Sequence, residues 1–315
     1  MATNPKLLRG VVPPVCTPFT ADYEVDEKSL RRLINHLIDG GVHGLFVLGS
    51  TSEVAYLTDK RRADVIRIAI DENAGRVPVV AGAIDMTTLR VNEHVRTAIE
   101  AGIDGIVLTA PFYVRTHPEE IANHFRLVKK ACGDVPLYAY DIPVAANGVK
   151  LETGTVLKLA QEGVISGLKD SSGNDAAFRA VILGAKKLGL NDFVILTGSE
   201  LTVDSALMAG AHGVVPGIGN IDPAGYVRIF DLVAAGKYND ARKEQERLFE
   251  MFGLVDVGAP GRMGRGSSAI GAFKASLKHL GIIEDARTAP PAIALAPDEV
   301  NAIVPYLKNA GLLVK

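Results

Sequence analysis

A segment in which a glycine turn precedes a short β-rich run recurs four times in this chain of 315 residues. The copies are GGVHGLFVLGS (40–50), AGIDGIVLTAP (101–111), EGVISGLKDSS (162–172) and AGAHGVVPGIGN (209–220). The first three begin about 61 residues apart, which is too long for one strand and one helix but fits two β-α units of about 30 residues each. The repeat therefore predicts a regular alternation of strands and helices.

Further strands fill the gaps between the repeats. The runs VVPPVC (11–16), VPVVAG (77–82), VPLYAY (135–140) and DFVILTG (192–198) bring the predicted number of strands to eight. Helical patterns with acids near the start and glycine at the end lie between them, for example over residues 26–40, 58–75 and 117–133. We therefore predict a (β/α)8 TIM barrel over residues 1–235 and a C-terminal three-helix extension over 236–315, broken by the glycine-rich stretch 257–268.

An open doubly wound sheet is the alternative architecture. Such a sheet usually carries a glycine fingerprint after its first strand, and VVPPVCTPF has none. The 34 basic and 36 acidic residues are interspersed, so neither nucleic acid nor an anionic membrane is an expected partner. Because no apolar run approaches 18 residues and the start MATNPKLLRG lacks an apolar segment, we expect a cytoplasmic protein.

Neither a metal nor another cofactor is expected. Cys16 and Cys132 are too few for a disulfide framework and have no paired spacing for zinc. The seven histidines form no metal-binding spacing. The chemistry must therefore come from the protein's own side chains.

The carboxyl ends of the strands are where such barrels carry their active sites. In GVISGLKDSSG (163–173), Lys169 stands where an apolar run gives way to a turn. Strand alternation puts Gly167 and Lys169 on one face, so a lysine that points into the barrel would have room below it. The predicted strand ends hold Thr17, Ser50, Thr51, Thr109, Tyr140, Lys169, Gly198 and Gly217.

The functional interpretation of Lys169 is an amine that forms an imine with a ketone or aldehyde. That role needs a pKa near 7, roughly 3 units or about 4 kcal/mol below the ordinary lysine value. The alternative is a surface lysine that caps the following helix. Tyr140, on the neighbouring strand, is either a proton carrier beside the lysine or a packing residue. The loop GSTSE (49–53) offers the hydroxyls of Ser50 and Thr51 to a carboxylate, or is simply a turn.

Taken together, these segments resemble one protein family. With TPF (17–19), APFY (110–113), YDIP (140–143) and HGVVPGIGN (212–220), they are similar over nearly the whole chain to the dihydrodipicolinate synthase and N-acetylneuraminate lyase family of pyruvate-dependent class I aldolases. The resemblance implies a (β/α)8 barrel with a helical extension, which usually assembles as a homotetramer of two tight dimers. Pyruvate and an aldehyde are the small-molecule partners that it implies.

The resemblance also implies roles for individual residues. Lys169 matches the Schiff-base lysine, Tyr140 the proton-relay tyrosine, and Ser50 and Thr51 the hydroxyl pair that binds the carboxylate and joins the relay. Tyr113 resembles the tyrosine that is lent across the tight dimer. The remaining positions expected to bind substrate are Gly198, Val215 and Gly217.

Departures from the family pattern bear on the choice of substrate. In dihydrodipicolinate synthases an arginine after the tyrosine motif binds the carboxylate of the semialdehyde, whereas residues 144–147 of this chain are Val, Ala, Ala and Asn. Ser52 also stands where the group often has glycine. A missing charge-assisted pair costs about 1.5 to 3 kcal/mol, so we favour aldol cleavage or formation of a hydroxylated 2-oxo acid, in particular a 2-keto-3-deoxy sugar acid.

Other functions within the same fold are alternatives. The first is dihydrodipicolinate synthesis from pyruvate and aspartate semialdehyde. The others are a sugar-acid dehydratase and a non-catalytic 2-oxo acid sensor. Three further side chains, Asp85, Arg262 and Arg265, are candidates for contact with the substrate.

Overall fold

Eight parallel strands form a single sheet in the computed structural model, which describes residues 7–313. The strands are β1 (Gly10–Val11), β2 (Leu45–Val47), β3 (Val79–Gly82), β4 (Gly105–Thr109), β5 (Leu137–Asp141), β6 (Gly167–Asp170), β7 (Val194–Thr197) and β8 (Gly213–Val214). Each strand pairs with its sequence neighbour from β2 to β8, and β8 also pairs with β1.

The gap between β1 and β2 is closed just beyond the end of β1. The Val15 amide donates to the Phe46 carbonyl at 2.8 Å, and the Phe46 amide donates to the Pro13 carbonyl at 3.1 Å. A parallel bridge between Pro14 and Phe46 results. These bonds complete the circle of strands, and the predicted (β/α)8 barrel is confirmed.

Eight helices surround the barrel, one after each strand. They are α1 (Glu27–Asp39), α2 (Asp59–Asn73), α3 (Thr88–Glu100), α4 (Pro118–Cys132), α5 (Thr153–Gln161), α6 (Asp175–Lys187), α7 (Val203–Met208) and α8 (Pro223–Ala234). Several begin at a side chain that accepts a hydrogen bond from the first turn, as Asp26 does from the Ser29 amide. Within residues 7–313, no helix is both long enough and apolar enough to cross a bilayer.

The C-terminal extension contains two long and two short helices among the described residues, where three were expected. They are α9 (Tyr238–Phe252), α10 (Arg265–His279), α11 (Pro297–Asn301) and α12 (Val304–Asn309). The break between α9 and α10 falls in the predicted glycine-rich stretch, although α10 begins inside it. The division into a barrel domain over 1–235 and an extension domain over 236–315 stays a prediction.

Strand alternation separates two apolar cores. The layer between the sheet and the helices contains Leu137, Ala139 and Leu168. The interior of the barrel is filled by a different set, namely Leu8, Val12, Phe46, Val80, Val107, Tyr138, Tyr140, Ile142, Val194, Leu196 and Val215. Because strands of this kind are buried on both faces, their sequences read as continuous apolar runs. The two tyrosines of β5 therefore point inward, and so do Gly167 and Lys169 of β6.

Gly167 is a point of close approach inside this interior. A Cβ atom built there would lie 2.6 Å from the Val194 carbonyl oxygen and 2.8 Å from Cδ1 of Tyr138. A backbone oxygen of a neighbouring strand cannot move away cheaply. The position requires glycine because of crowding beneath Lys169.

We predict that Gly167→Ala destabilises the fold by about 1–3 kcal/mol, the usual cost of overpacking a core. Gly154→Ala is the matched control, because a Cβ at Gly154 meets nothing within 4 Å. Alanine there, in α5, should leave stability unchanged or slightly higher. Urea unfolding midpoints of the two variants measure the difference. Equal midpoints would contradict the proposed crowding.

Candidate active site

Lys169 lies at the end of β6 and points into the barrel, as the alternation predicts. Its Cα is in register with Tyr140 of β5. Its Nζ is 3.9 Å from the centroid of the Tyr140 ring and 5.0 Å from that of the Phe46 ring. The residue is only 7% exposed. The amine therefore sits between two aromatic rings, largely shielded from water.

Tyr140 is the phenol nearest to this amine. Burial alone would raise its pKa, but the positive charge of Lys169 and hydrogen bonds from Ser50, Lys169 and Ser171 outweigh burial, and the net pKa is lowered. A phenol that loses its proton more easily than free tyrosine is suited to passing a proton to and from a substrate oxygen. The predicted pairing of phenol and amine is present.

The loop after β2 brings two hydroxyls to the same place. Ser50 is exposed and Thr51 half-buried, and both line the cleft above the barrel. Ser52 is buried instead: its Oγ donates to the Val15 carbonyl at 2.5 Å, and its own carbonyl accepts from Thr17 Oγ1 at 2.9 Å. Ser52 thus anchors the loop, and Ser50 and Thr51 are free to face a ligand.

The cleft has a volume of about 560 Å³ and two different walls. Ser50, Thr51, Ser171 and Glu200 come from the barrel loops, and Ile270 and Phe273 come from α10. A cleft of this size falls in the range of small-molecule sites. The C-terminal extension is therefore part of the site.

Glu200 is a site residue that our sequence analysis missed. It lies three residues beyond the end of β7, and its Oε2 accepts a hydrogen bond from the Ile218 amide at 2.6 Å. Burial raises its pKa to about 7, against the opposing effects of the Ile218 and Gly217 amides and the charge of Lys169. The sequence signal for Glu200 was an acidic residue shortly after a barrel strand. We placed the end of that strand at Gly198 and did not consider the residues beyond it.

The expected substrate-binding positions do not all fall in the cleft. Val215 is buried and lines a small cavity inside the barrel together with Lys169. Gly217 donates its amide to Glu200. Gly198 is tied by its amide to the Asp170 carbonyl at 2.7 Å. None of these three residues lines the cleft, and Val215 shares the small interior cavity with Lys169.

Tyr113 lies apart from the other predicted catalytic residues. It is 83% exposed and has a left-handed backbone with φ of 72°. The residues that line the cleft of its own chain do not include it. Its side chain is available to a neighbouring molecule.

Of the three additional candidates for substrate contact, two do not line the cleft. Asp85 is buried and holds Arg90 at 2.8 Å and His94 at 2.9 Å, away from the cleft. Arg262 forms an ion pair with Glu299 within the extension. Only Arg265 lines the cleft, where it also pairs with Asp256 at 2.7 Å. The ion-pair partners of Asp85 and Arg262 could not be recognised from local sequence.

Metal chemistry has no obvious location in the described part of the chain. Across residues 7–313, no three side chains of His, Cys, Asp or Glu come together in a way that could hold a metal ion. The groups at or beside the cleft include an amine, a phenol, hydroxyls and the carboxylates of Glu53 and Glu200. This set is suited to covalent catalysis by the amine with proton transfer by its neighbours.

We predict that Glu200 makes folding stability fall as pH rises. Its folded pKa, about 7, exceeds its ordinary value of 4.5, so the folded state keeps a proton that the unfolded state releases between these values. Glu200→Gln removes this effect. Relative to wild type, the variant should gain about 3 kcal/mol in free energy of unfolding between pH 4.5 and pH 7.5.

Urea unfolding at the two pH values measures this gain. Glu250→Gln, on the exposed surface of α9, is the control and should show no pH-dependent difference from wild type. If the free energies of unfolding of Glu200→Gln and wild type differed by the same amount at both pH values, the raised pKa of Glu200 would be contradicted.

This chain is similar to known proteins in both sequence and structure. Residues 7–310 match the model of the dihydrodipicolinate synthetase family. The 4-hydroxy-tetrahydrodipicolinate synthase of Methanothermobacter thermautotrophicus is 33% identical over 79% of this chain and 88% of its own length. The synthase of Nitrobacter hamburgensis is 31% identical over 99% of this chain and 100% of its own. YagE, a prophage protein of the same family from E. coli K12 solved in complex with pyruvate, superimposes with a TM-score of 0.89 at 28% identity, covering 98% of this chain and 100% of its own.

Proposed function

This chain belongs to the dihydrodipicolinate synthetase family, and we propose that it cleaves or forms a hydroxylated 2-oxo acid with pyruvate as the enamine partner. Family membership makes it a lyase of the class I aldolase type. The observation that carries the proposal is the amine of Lys169 held inside the barrel, 3.9 Å from the centroid of the Tyr140 ring, whose phenol hydrogen-bonds Ser50 and Ser171 of the cleft. We propose Lys169 as the Schiff-base residue.

The proposed reaction starts at the ketone of the 2-oxo acid. Nζ of Lys169 attacks C2, and the carbonyl oxygen leaves as water to give an iminium ion. Loss of a proton from C3 gives an enamine, whose C3 attacks the aldehyde carbon. The aldehyde oxygen becomes a hydroxyl by taking a proton that Tyr140 delivers. Hydrolysis of the imine frees the lysine, and the reverse sequence cleaves the same bond.

The loop hydroxyls complete this assignment. Ser50 and Thr51 are proposed to hold the carboxylate of the 2-oxo acid, because both line the cleft and neither has the internal anchoring role of Ser52. Ser50 also hydrogen-bonds the Tyr140 phenol, which connects the carboxylate site to the proton relay. A carboxylate bound there would place C2 within reach of Lys169.

Tyr113 is the basis for a proposal about the oligomeric state of the protein. We propose that the partner subunit's Tyr113 extends the proton relay within a tight dimer, and that two such dimers form a cytoplasmic homotetramer. The support is the exposure of Tyr113 and its position outside the cleft of its own chain.

Glu200 supports a hydroxylated rather than a second carboxylated substrate. A carboxylate accepts hydrogen bonds from sugar hydroxyls, whereas near neutral pH it repels another carboxylate. The segment after Tyr140 adds no compensating cation, since Val144 is the residue that lines the cleft there. These side chains favour the neutral, hydroxyl-bearing end of a 2-keto-3-deoxy sugar acid.

Dihydrodipicolinate synthesis is the second candidate, and two observations favour it. The Methanothermobacter and Nitrobacter relatives carry the name of that synthase. Arg265 lines the far wall of the cleft, where a guanidinium could bind the carboxylate of aspartate semialdehyde. The two candidates differ in which charged residue of the cleft meets the aldehyde partner.

A substrate panel separates them. We expect wild type to release pyruvate from 2-keto-3-deoxy sugar acids or N-acetylneuraminate faster than it condenses pyruvate with aspartate semialdehyde. Glu200→Gln should lower kcat/KM for the sugar acid by roughly 10-fold or more, the effect of one lost charged hydrogen bond. Arg265→Gln should leave sugar-acid cleavage nearly unchanged.

The opposite pattern would overturn the preference. Predominant condensation with aspartate semialdehyde, lost in Arg265→Gln and retained in Glu200→Gln, would assign the synthase reaction instead.

A further inference from the structure

We propose that a buried ion pair between Glu53 and Lys274 positions the hydroxyl loop, residues 49–53, for binding of the 2-oxo acid carboxylate. This inference rests on the proposed function for the identity of the ligand. Glu53 and Lys274 are positioning residues, since they act on the substrate through Ser50 and Thr51. The C-terminal extension would thereby set the geometry of the carboxylate site.

Glu53 is the last residue of the loop and is held at several points. It is 3% exposed, and its Oε1 accepts a hydrogen bond from the Ala289 amide at 2.6 Å. Its backbone amide donates to the Ser50 carbonyl at 3.0 Å, which closes the turn that contains Thr51. Its φ of 59° lies in the left-handed region, where a non-glycine residue needs support from its surroundings. The side chain of Glu53 is therefore well placed to fix the turn.

Lys274 supplies the other half of the pair from α10. It is fully buried, and its Nζ contacts Oε2 of Glu53 and donates to the Arg287 carbonyl at 2.9 Å. The same Nζ lies 4.1 Å from the centroid of the Phe19 ring. Burial lowers the pKa of Lys274, and the charge of Glu53 opposes that shift. The lysine thus joins the loop after β1, the hydroxyl loop and the extension.

The energetics of such a pair argue against a purely stabilising role. Taking two charges out of water costs several kcal/mol per ion, so apolar residues of similar volume often stabilise a fold as well or better. What the pair adds is a fixed distance between two segments. Here those segments are the hydroxyl loop and α10, which are distant in sequence and both line the cleft.

Two anchors therefore hold the loop from opposite sides. Ser52 bonds to the strand-end residues Val15 and Thr17, and Glu53 bonds to the extension through Lys274 and the Ala289 amide. Loss of the second anchor should free Ser50 and Thr51 to move without unfolding the barrel. A misplacement of about 1 Å near the reacting atoms is enough to lower rates substantially.

The test compares Glu53→Gln with Glu299→Gln. Glu299 is a matched control because it is also nearly buried, accepts hydrogen bonds from the Ala259 and Ala296 amides and pairs with a cation, Arg262, within the extension. Neither substitution changes side-chain size. Lys274→Met and the double variant Glu53→Gln/Lys274→Met complete a double-mutant cycle.

Two readouts are used on the full chain. Hydrogen–deuterium exchange at residues 49–53 without ligand should be faster in Glu53→Gln than in wild type and unchanged in Glu299→Gln. Borohydride reduction in the presence of pyruvate should need roughly tenfold more pyruvate for half-maximal labelling in Glu53→Gln and in Lys274→Met. The double variant should shift no further than either single variant, because both remove the same link.

The outcomes separate this inference from the proposed function. Lower thermal stability of Glu53→Gln with unchanged loop exchange and unchanged half-maximal pyruvate would overturn the positioning role. Equal shifts in Glu299→Gln would do the same. Absence of labelling in wild type would count against the proposed function, and the exchange measurement would still decide whether the pair holds the loop.

Discussion

The register between β5 and β6 is the constraint on which the site depends. Because Lys169 pairs with Tyr140 in a parallel sheet, the two side chains leave neighbouring strands at the same height and on the same face. Closure of the barrel makes that face an interior, so the amine meets aromatic rings rather than water. Gly167 below lets the Val194 carbonyl and the Tyr138 ring pack closely beneath the amine, where a larger residue would clash with both. A slip of one residue in either strand would move one of these groups to the helical layer and separate them.

The C-terminal extension contributes as much to the cleft as the barrel loops do. One face of α10 lines the cleft with Ile270 and Phe273, and the same helix carries Lys274 to the hydroxyl loop. A chain that ended after α8 would keep the amine and the phenol but lose a wall and an anchor. The barrel supplies the reacting groups, and the extension defines the space in which a substrate meets them.

Sequence patterns predicted the fold because it follows from short-range rules. Eight apolar runs at regular spacing indicated the barrel, and strand-end positions singled out Lys169, Tyr140 and the Ser50–Thr51 pair as candidates, whose catalytic roles stay predictions. Residues whose role depends on contacts with residues distant in sequence were harder to predict. Glu200 follows a strand end by three residues, and its pKa is raised by burial while the Gly217 and Ile218 amides oppose that shift. Asp85 and Arg262 resembled free site residues because their partners lie on other turns or helices. The Glu53–Lys274 pair joins residues that no local pattern connects.

The most direct test of the account is to find which side chain forms the imine. The protein is incubated with pyruvate and reduced with borohydride, and its peptides are then mapped by mass spectrometry. We expect the reduced adduct on Lys169 alone and its loss in Lys169→Met, with the fully buried Lys274 unmodified. An adduct on another lysine, or none on the peptide that contains Lys169, would contradict the central claim.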